Sequence, residues 1–141
     1  MTILLAGASG YIGKHVEDTL KHDGYNVLPI HRRSLSSKNV KFQSSFDIDF
    51  SNTVHSREML DSLPKVDAII SCIGSRTGGK VDAWDAEFSA NKVLLDYGTE
   101  RNVNHFILLS AICVQKPVCE FQYAKLAFEQ ELMHSKLSYS I

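Results

Sequence analysis

The sequence predicts an α/β protein with a Rossmann-like fold, in which a doubly wound parallel sheet lies between two layers of helices. A glycine-rich segment at 7–13 joins an apolar run of strand length to a stretch with helical periodicity. Further strand-length apolar runs alternate with helical stretches, which implies right-handed crossovers and a parallel sheet. The expected strand order is 3-2-1-4-5, with a partial sixth strand beside the fifth. The chain of 141 residues is predicted to form one NAD(P)-binding domain, 1–141.

The glycine-rich segment predicts a dinucleotide site. Its sequence is Gly7-Ala8-Ser9-Gly10-Tyr11-Ile12-Gly13, and the spacing G-x-x-G-x-x-G is a variant of the dinucleotide fingerprint. In such turns one glycine permits a tight bend, one lets the backbone approach a pyrophosphate, and one lets helix and strand pack closely. The helix N-terminus then offers N–H groups to the phosphates. All seven residues are therefore expected at the cofactor; a glycine-rich turn without a ligand is the alternative.

The elements around this turn follow from the apolar pattern. The first strand covers 3–6, apolar on both faces as a central parallel strand should be. The helix after it carries a buried stripe at a spacing of four residues, which consists of Ile12, Val16 and Leu20. Gly24 suits the position just past that helix. The second strand covers 25–30, and Pro29, which has no N–H, should fall at its end or at a bulge.

The residues after the second strand predict the choice of cofactor. Arg32, Arg33 and Ser34 stand about 20 residues past the glycines, where an NAD-binding fold carries an acid for the ribose hydroxyls. A guanidinium pairs with a phosphate, whereas a carboxylate would repel it. These residues therefore favour NADPH over NADH. A solvated basic turn is the other interpretation.

The third and fourth strands bring further residues to the same edge of the sheet. The third is expected within 40–50, with Asp47 or Ile48 bordering the adenine or Asp47 being a plain loop aspartate. A modest helix at 56–63 precedes the fourth strand, 66–73. Ligands of open α/β sheets bind at the carboxyl edge, which predicts cofactor contacts at the end of that strand from Cys72, Ile73 and Gly74.

The rest of the chain completes the alternation. The loop 74–80 should lie over the cofactor, unless it is a flexible loop without a ligand role. A long helix at 82–101 carries Asn91 among apolar residues, either as a satisfied polar residue or as part of the site. The fifth strand covers 105–112 and the last helix 120–134. That helix has apolar residues along one face, namely Phe121, Ala124, Phe128 and Leu132.

Composition narrows the classes of partner. The chain has 15 basic and 16 acidic residues, which gives no reason to expect nucleic acid or an anionic membrane. Its longest apolar runs have strand length, so no membrane span is predicted. Ile3 already lies in the first strand, which predicts no signal or transit segment and a cytoplasmic, bacterial-type location. Cys72, Cys113 and Cys119 fit reduced, buried or incidental thiols, and no Cys/His spacing predicts a metal site.

Three further segments resemble one enzyme family. They are Ser-Cys-Ile-Gly-Ser-Arg-Thr-Gly-Gly at 71–79, Leu-Leu-Ser-Ala-Ile-Cys-Val-Gln-Lys-Pro at 108–117 and Glu-Phe-Gln-Tyr-Ala-Lys-Leu at 120–126. With the glycine segment they are similar to the NADPH-dependent divinyl chlorophyllide a 8-vinyl reductases, atypical members of the short-chain dehydrogenase/reductase superfamily. Such reductases are longer, so the chain looks like their cofactor-binding part without the C-terminal substrate region.

The resemblance implies a reaction on a small-molecule tetrapyrrole. NADPH would reduce the C8 vinyl group of a divinyl (proto)chlorophyllide to ethyl, with the protein holding two flat partners and relaying a proton. A dinucleotide-sensing regulator similar to the NmrA-like proteins is one alternative. A general NAD(P)-dependent epimerase or dehydratase is another.

The superfamily's catalytic Tyr-x-x-x-Lys pair is incomplete here. Lys125 is present, but Phe121 stands where the phenol would be, four residues earlier on the same helix face. Tyr123 is about 200° around the helix from Lys125 and points elsewhere. The resemblance implies that Lys125 bonds the nicotinamide ribose, whereas its spacing alone suggests a solvated helix lysine. Ser110 is the nearest candidate for the superfamily's serine, unless Ala111 holds that position.

Overall fold

Six parallel strands form one sheet within residues 1–32, 46–50 and 52–141, the part of the chain that the computed structural model describes. The strand order is β3-β2-β1-β4-β5-β6, so the predicted Rossmann-like topology is confirmed, including the short sixth strand beside the fifth. The strands are β1 Thr2–Ala6, β2 Asn26–Arg32, β3 Phe46–Ile48, β4 Ala68–Ser71, β5 His105–Leu108 and β6 Ser138–Ser140.

The helices follow the strands in the expected alternation. They are α1 Tyr11–His22, α2 Thr53–Asp61, α3 Lys80–Ala83, α4 Ala90–Glu100 and α5 Glu120–His134. A π-helical segment, Trp84–Ser89, joins α3 to α4. The helix predicted at 82–101 therefore exists, but it contains a wide turn that the apolar pattern did not reveal.

The central strand sets the register of the sheet. Ile3 lies opposite Val27 of β2 on one side and opposite Ala68 of β4 on the other. Because both neighbours of β1 are parallel to it, the carboxyl ends of β1, β2 and β4 meet at one edge. The turn into α1 begins at that edge.

Each face of the sheet is covered by helices. On one face Val16 and Leu20 of α1 pack against a small cluster that includes Leu5 and Val27. On the other face α2, α4 and α5 cover the main core, where the rings of Phe106 and Phe128 lie 5.9 Å apart between centroids. Burial of this apolar surface is the main term that stabilises the fold.

The burial of α5 follows the apolar spacing from which the helix was predicted. Ala124, Phe128 and Leu132 are fully buried, as a spacing of four residues predicts. The helix begins at Glu120 and ends at His134, which agrees with the sequence prediction.

Two local expectations are wrong. Ile12 is 49% exposed, so the buried stripe of α1 begins only at Val16; the first turn of α1 lies at the edge of the sheet, beyond the core. Pro29 lies inside β2, opposite Leu5 of β1, and not at its end. In the described part of the chain the pairing of β2 with β3 begins one residue later, at Ile30.

The packing of α5 predicts a large loss of stability from one substitution. Phe128→Ala removes a fully buried ring and should lower the free energy of unfolding by about 3–5 kcal/mol. Tyr123→Ala, on the exposed face of the same helix, should change it by less than about 1 kcal/mol. Urea unfolding followed by circular dichroism measures both values, and equal losses would contradict the assignment of faces.

Candidate functional site

A cavity of about 430 Å³ opens at the carboxyl edge of the sheet, between the glycine turn and the end of β4. The glycine turn contributes Gly7, Ser9 and Gly10 to its wall, and the end of β4 contributes Cys72, Ile73 and Gly74. The structure therefore brings together two segments that the sequence predicted separately. The remaining lining residues are Asp49, Phe50, Arg76, Asp85, Ala86, Ser89 and Ala90.

The glycine turn has a shape that larger residues would destroy. Gly7 has φ +80°, and a Cβ there would lie 2.6 Å from the carbonyl oxygen of Cys72. A Cβ on Gly13 would lie 2.1 Å from the carbonyl oxygen of Gly7. These contacts are impossible for carbon against oxygen, so the turn requires glycine at both positions.

The start of α1 is suited to an anion. The N-cap residue is Gly10, which has no side chain with which to cap the N–H groups of the first turn. Such N–H groups, with the positive end of the helix dipole, form a binding site for phosphate. The glycine turn and the uncapped first turn of α1 together fit the pyrophosphate of a dinucleotide.

The other residues of the glycine segment do not line the cavity. Ala8 is buried in the small cluster beneath α1, and Gly13 is buried against Gly7. Tyr11 and Ile12 are exposed on the outer side of the first turn. Their predicted cofactor contacts stay predictions.

Several predicted residues cannot be placed by their side chains. Arg33 and Ser34 lie outside the described residues. Arg32 ends β2 and Asp47 is the middle residue of β3, both placed through their backbones alone. Ile48, the alternative for the adenine contact, is fully buried in the main core.

The sequence predictions missed residues on two walls of the cavity. Asp49 and Phe50 follow β3 directly and were not predicted at the cofactor, whereas Arg76 belongs to the loop 74–80, which was expected to lie over it. A general signal existed for each of them, because all three follow the carboxyl ends of parallel strands. Asp85 and Ser89 belong to the π-helical segment, whose wide turn the apolar pattern did not indicate.

Two carboxylates hold the loop after β4. Glu87 Oε1 accepts hydrogen bonds from the backbone N of Ser75 at 2.8 Å and from its hydroxyl at 3.2 Å. Asp82 Oδ2 accepts from the backbone N of Arg76 at 2.7 Å and of Thr77 at 2.8 Å. Three consecutive amides are therefore bound to acidic side chains from the helix that follows.

Lys125 is buried, so the interpretation as a solvated lysine is wrong. Its Nζ lies 3.0 Å from the carbonyl oxygen of Leu109, 3.5 Å from that of Ile73 and 2.7 Å from Glu87 Oε2. The ammonium group thus lies between the carboxyl ends of β4 and β5. Tyr123 is 49% exposed whereas Lys125 is 5% exposed, which confirms that the two residues face opposite ways.

Ser110 and Asn91 have partners inside the protein. The Ser110 hydroxyl donates a hydrogen bond to Glu129, which is buried in α5, and Ser110 does not line the cavity. Asn91 Oδ1 accepts from Ser71 at 2.5 Å, and Asn91 Nδ2 donates to the carbonyl oxygen of Glu87 at 2.9 Å. Asn91 is therefore a satisfied polar residue that joins β4 to the π-helical segment.

The three cysteines are free thiols in different surroundings. Cys113 and Cys119 are exposed, so of the two predicted alternatives they are incidental and not buried, and Cys72 is half-buried in the cavity wall. Burial raises the pKa of the Cys72 thiol, and the positive charge of Lys125 opposes that shift more weakly. Cys72 is therefore a poor nucleophile near neutral pH.

Within the described ranges, no cluster of His, Cys, Asp and Glu is arranged to hold a metal ion. In the same ranges, no helix combines the length and the apolar character needed to span a bilayer.

Comparison with known proteins identifies a protein family and individual relatives. Residues 3–140 match the family described as NAD dependent epimerase/dehydratase family. The divinyl chlorophyllide a 8-vinyl-reductase of Cucumis sativus is 43% identical over 144 residues, which cover 94% of this chain and 34% of that protein. The Arabidopsis thaliana protein of the same name is 39% identical and covers 100% of this chain and 38% of that protein. The chain thus spans about a third of the length of these relatives, which are both named as chloroplastic.

Solved structures agree with the fold. A short-chain dehydrogenase/reductase superfamily protein from Agrobacterium tumefaciens, solved with bound NAD, matches with a TM-score of 0.78 and 16% identity. The match covers 99% of this chain and 47% of that chain. At this identity the likeness concerns the fold alone.

The glycine turn predicts opposite results for two neighbouring substitutions. Gly13→Ala places a Cβ 2.1 Å from a backbone oxygen and should destabilise the chain by about 3 kcal/mol or more. Gly10→Ala meets that oxygen at 3.3 Å and should cost less than about 1.5 kcal/mol. Thermal unfolding of both variants tests this order, and a reversed order would show that α1 does not approach the turn this closely.

The raised pKa of Cys72 predicts slow alkylation. Because less of this thiol is ionised at about pH 8, iodoacetamide should label it more slowly than the exposed Cys113 and Cys119. The rate at Cys72 should continue to rise as the pH is raised through the range where the thiol ionises. Peptide mass spectrometry with time resolves the three sites, with Cys72→Ser as control; equal rates would contradict the burial.

Proposed function

Because this chain belongs to the NAD dependent epimerase/dehydratase family, we propose that it is the cofactor-binding part of an NADPH-dependent 8-vinyl reductase. The proposed reaction converts the C8 vinyl group of a divinyl (proto)chlorophyllide to ethyl. The main support is the identity of 43% and 39% to two proteins named as divinyl chlorophyllide a 8-vinyl-reductases. Since the chain covers about a third of those proteins, their substrate is proposed for a longer protein that contains this domain.

A nicotinamide dinucleotide fits the cavity in one direction. Its pyrophosphate would lie on the uncapped N-terminus of α1, over Gly7 and Gly10. The adenosine half would extend toward β2 and β3, where Asp49 and Phe50 line the wall. The nicotinamide half would extend the other way, past Ile73 toward the ends of β4 and β5.

Arg76 is a further candidate for binding the cofactor. It lines the cavity, its backbone N is held by Asp82, and its side chain is exposed. A guanidinium in this wall would attract the pyrophosphate and bind it with directed hydrogen bonds.

The proposed preference for NADPH rests on Arg32, which ends β2, and on Arg33 and Ser34, which follow it in the sequence. This end of the strand is the place where such folds distinguish a ribose hydroxyl from a 2′-phosphate. Two guanidinium groups and no carboxylate favour the phosphate. The proposal of NADPH rests on these residue types alone.

The site holds a cation but lacks the superfamily's phenol. When bound, the cofactor supplies a hydride for the vinyl carbon. Lys125 gives hydrogen bonds to two carbonyl oxygens and lies 2.7 Å from Glu87 Oε2, so a bond to a ribose hydroxyl would replace one of these three contacts. Phe121 occupies the helix face on which the phenol would stand, so this helix brings no acid for a carbonyl oxygen. Reduction of a C=C bond, which protonates carbon, fits that loss better than alcohol oxidation.

Ser110 stays a weaker candidate. Its hydroxyl is bound to Glu129, so a role toward substrate would require that hydrogen bond to be exchanged. The proton that completes the ethyl group is therefore not assigned to Ser110 as it stands.

A regulator that senses a dinucleotide is the second candidate, because Phe121 in place of a phenol suits a protein without turnover. The two functions share the cofactor site and differ in chemistry. The cytoplasmic, bacterial-type location stays a prediction for this chain, whereas the two relatives carry chloroplastic names.

Arg32 and Arg33 predict a measurable preference for NADPH over NADH. In a titration of nucleotide fluorescence, NADPH should bind about tenfold or more tightly than NADH, since charge-assisted hydrogen bonds contribute about 1.5–3 kcal/mol. Arg32→Ala with Arg33→Ala should remove the difference. Arg57→Ala, which breaks an exposed ion pair with Glu100, is the matched control and should retain it. Equal affinities in the unsubstituted chain would refute the preference.

Turnover separates the reductase from the regulator. In the Cucumis sativus reductase, the part that matches this chain is replaced by residues 1–141. The chimera is then supplied with NADPH and divinyl chlorophyllide a. Loss of the vinyl group is followed by pigment absorbance and chromatography, with the parent enzyme as control. A folded chimera that binds NADPH without reducing the pigment would favour the regulator.

A further inference from the structure

A buried carboxylate, Glu87, joins the loop after β4 to the ammonium group of Lys125. Neither residue lines the cavity itself, but Lys125 is bonded to Ile73, which does. We propose that Glu87 is a positioning residue that holds Lys125 behind Ile73, next to the nicotinamide end of the cavity. This inference rests on the proposed binding of NADPH. It assigns a role to a residue that neither the glycine fingerprint nor the Tyr-x-x-x-Lys motif contains.

The two oxygens of Glu87 have different partners. The carboxylate is almost wholly buried, at 2% exposure. Oε1 accepts from the backbone N and the hydroxyl of Ser75. Oε2 lies 2.7 Å from Lys125 Nζ, yet no hydrogen bond reaches it from the described residues. The contact is therefore a close, buried ion pair, in which attraction between the charges holds the ammonium group beside the carboxylate.

The π-helical segment carries Glu87 to this place. Its wide turn leaves carbonyl groups without the usual helical partners, and π-helical turns of this kind are frequent at functional sites. Asn91 Nδ2 donates to the carbonyl oxygens of Glu87 at 2.9 Å and of Ala86 at 3.4 Å. Ser71 of β4 donates in turn to Asn91 Oδ1. A chain of hydrogen bonds thus ties the position of Glu87 to the central sheet.

Stability alone gives little reason for this pair. Removing two charges from water is costly, and replacing a buried ion pair with apolar residues of similar volume is often neutral or stabilising. In the described chain the pair lies where β4 and β5 end, beside Ile73 of the cavity wall. A cation held at this edge is useful if a ligand reaches it.

The position of Lys125 and Glu87 determines which half of the bound cofactor they would contact. Lys125 is bonded to Leu109 after β5 and to Ile73 after β4, on the opposite side of the glycine turn from Asp49 and Phe50. The adenosine half lies toward the latter two residues in the proposed orientation. Loss of Glu87 should therefore weaken contacts to the nicotinamide half and leave those to the adenosine half unchanged.

The experiment compares two ligands by calorimetric titration of the 141-residue chain. NADPH contains both halves, and adenosine 2′,5′-bisphosphate lacks the nicotinamide half. Glu87→Gln should weaken the binding of NADPH by about tenfold, as expected when a buried ion pair loses one of its charges, and change the binding of the bisphosphate by less than about twofold. Glu87→Asp, which keeps the charge but shortens the reach, should lie between. Glu100→Gln, in an exposed ion pair with Arg57, is the control and should change neither ligand.

A double-mutant cycle tests whether Glu87 acts through Lys125. Lys125→Met should weaken NADPH selectively, and adding Glu87→Gln to it should cause no further loss, because residues that act as one unit are not additive. A further tenfold loss in the double variant would overturn the proposal.

Other results also decide the matter. Equal weakening of both ligands by Glu87→Gln, with a lowered unfolding temperature, would show a structural role alone and overturn the proposal. Unchanged NADPH binding would overturn it too. If Glu87→Gln does not fold, Glu87→Asp must show the same selectivity. Failure of the unsubstituted chain to bind either ligand would instead refute the proposed function.

Discussion

The close approach of the glycine turn to the end of β4 is the constraint on which the site depends. Backbone touches backbone at two places, Gly13 against Gly7 and Gly7 against Cys72, with no room for a Cβ at either glycine. This contact brings the N-terminus of α1 to the carboxyl edge of the central strands. A methyl group at either position would move the helix away from the sheet, and the cavity wall would separate into two unrelated surfaces.

The apolar pattern predicted what depends on repeated spacing. Strand order, the span of α5 and its buried face at Ala124 and Phe128 all follow from runs of strand length or from a period of about four residues. The glycine spacing predicted the turn because it is a local rule that involves only neighbouring residues. Each of these features depends on many residues or on a rigid local rule, so no distant contact was needed to infer it.

The site was less predictable because its polar residues depend on distant partners. Lys125 has the spacing of a surface lysine and becomes buried through Ile73, Leu109 and Glu87, which are 52, 16 and 38 positions away in sequence. Glu87 itself depends on a π-helical turn that hydropathy does not show. For Ile12 the helical period holds, but the first turn of α1 extends past the core and leaves that side chain in solvent. Local pattern describes a helix face and not what the rest of the protein places against it.

The acidic clamp on the loop after β4 gives the cavity a polarity. The amides of Ser75, Arg76 and Thr77 are already bound to Glu87 and Asp82, whereas Gly10 gives the first turn of α1 no side-chain cap. A phosphate beside the loop could therefore be held only through side chains such as the exposed Arg76, while the start of α1 offers backbone N–H groups in fixed positions. The difference between fixed and side-chain donors sets the direction of an extended anionic ligand along the sheet edge.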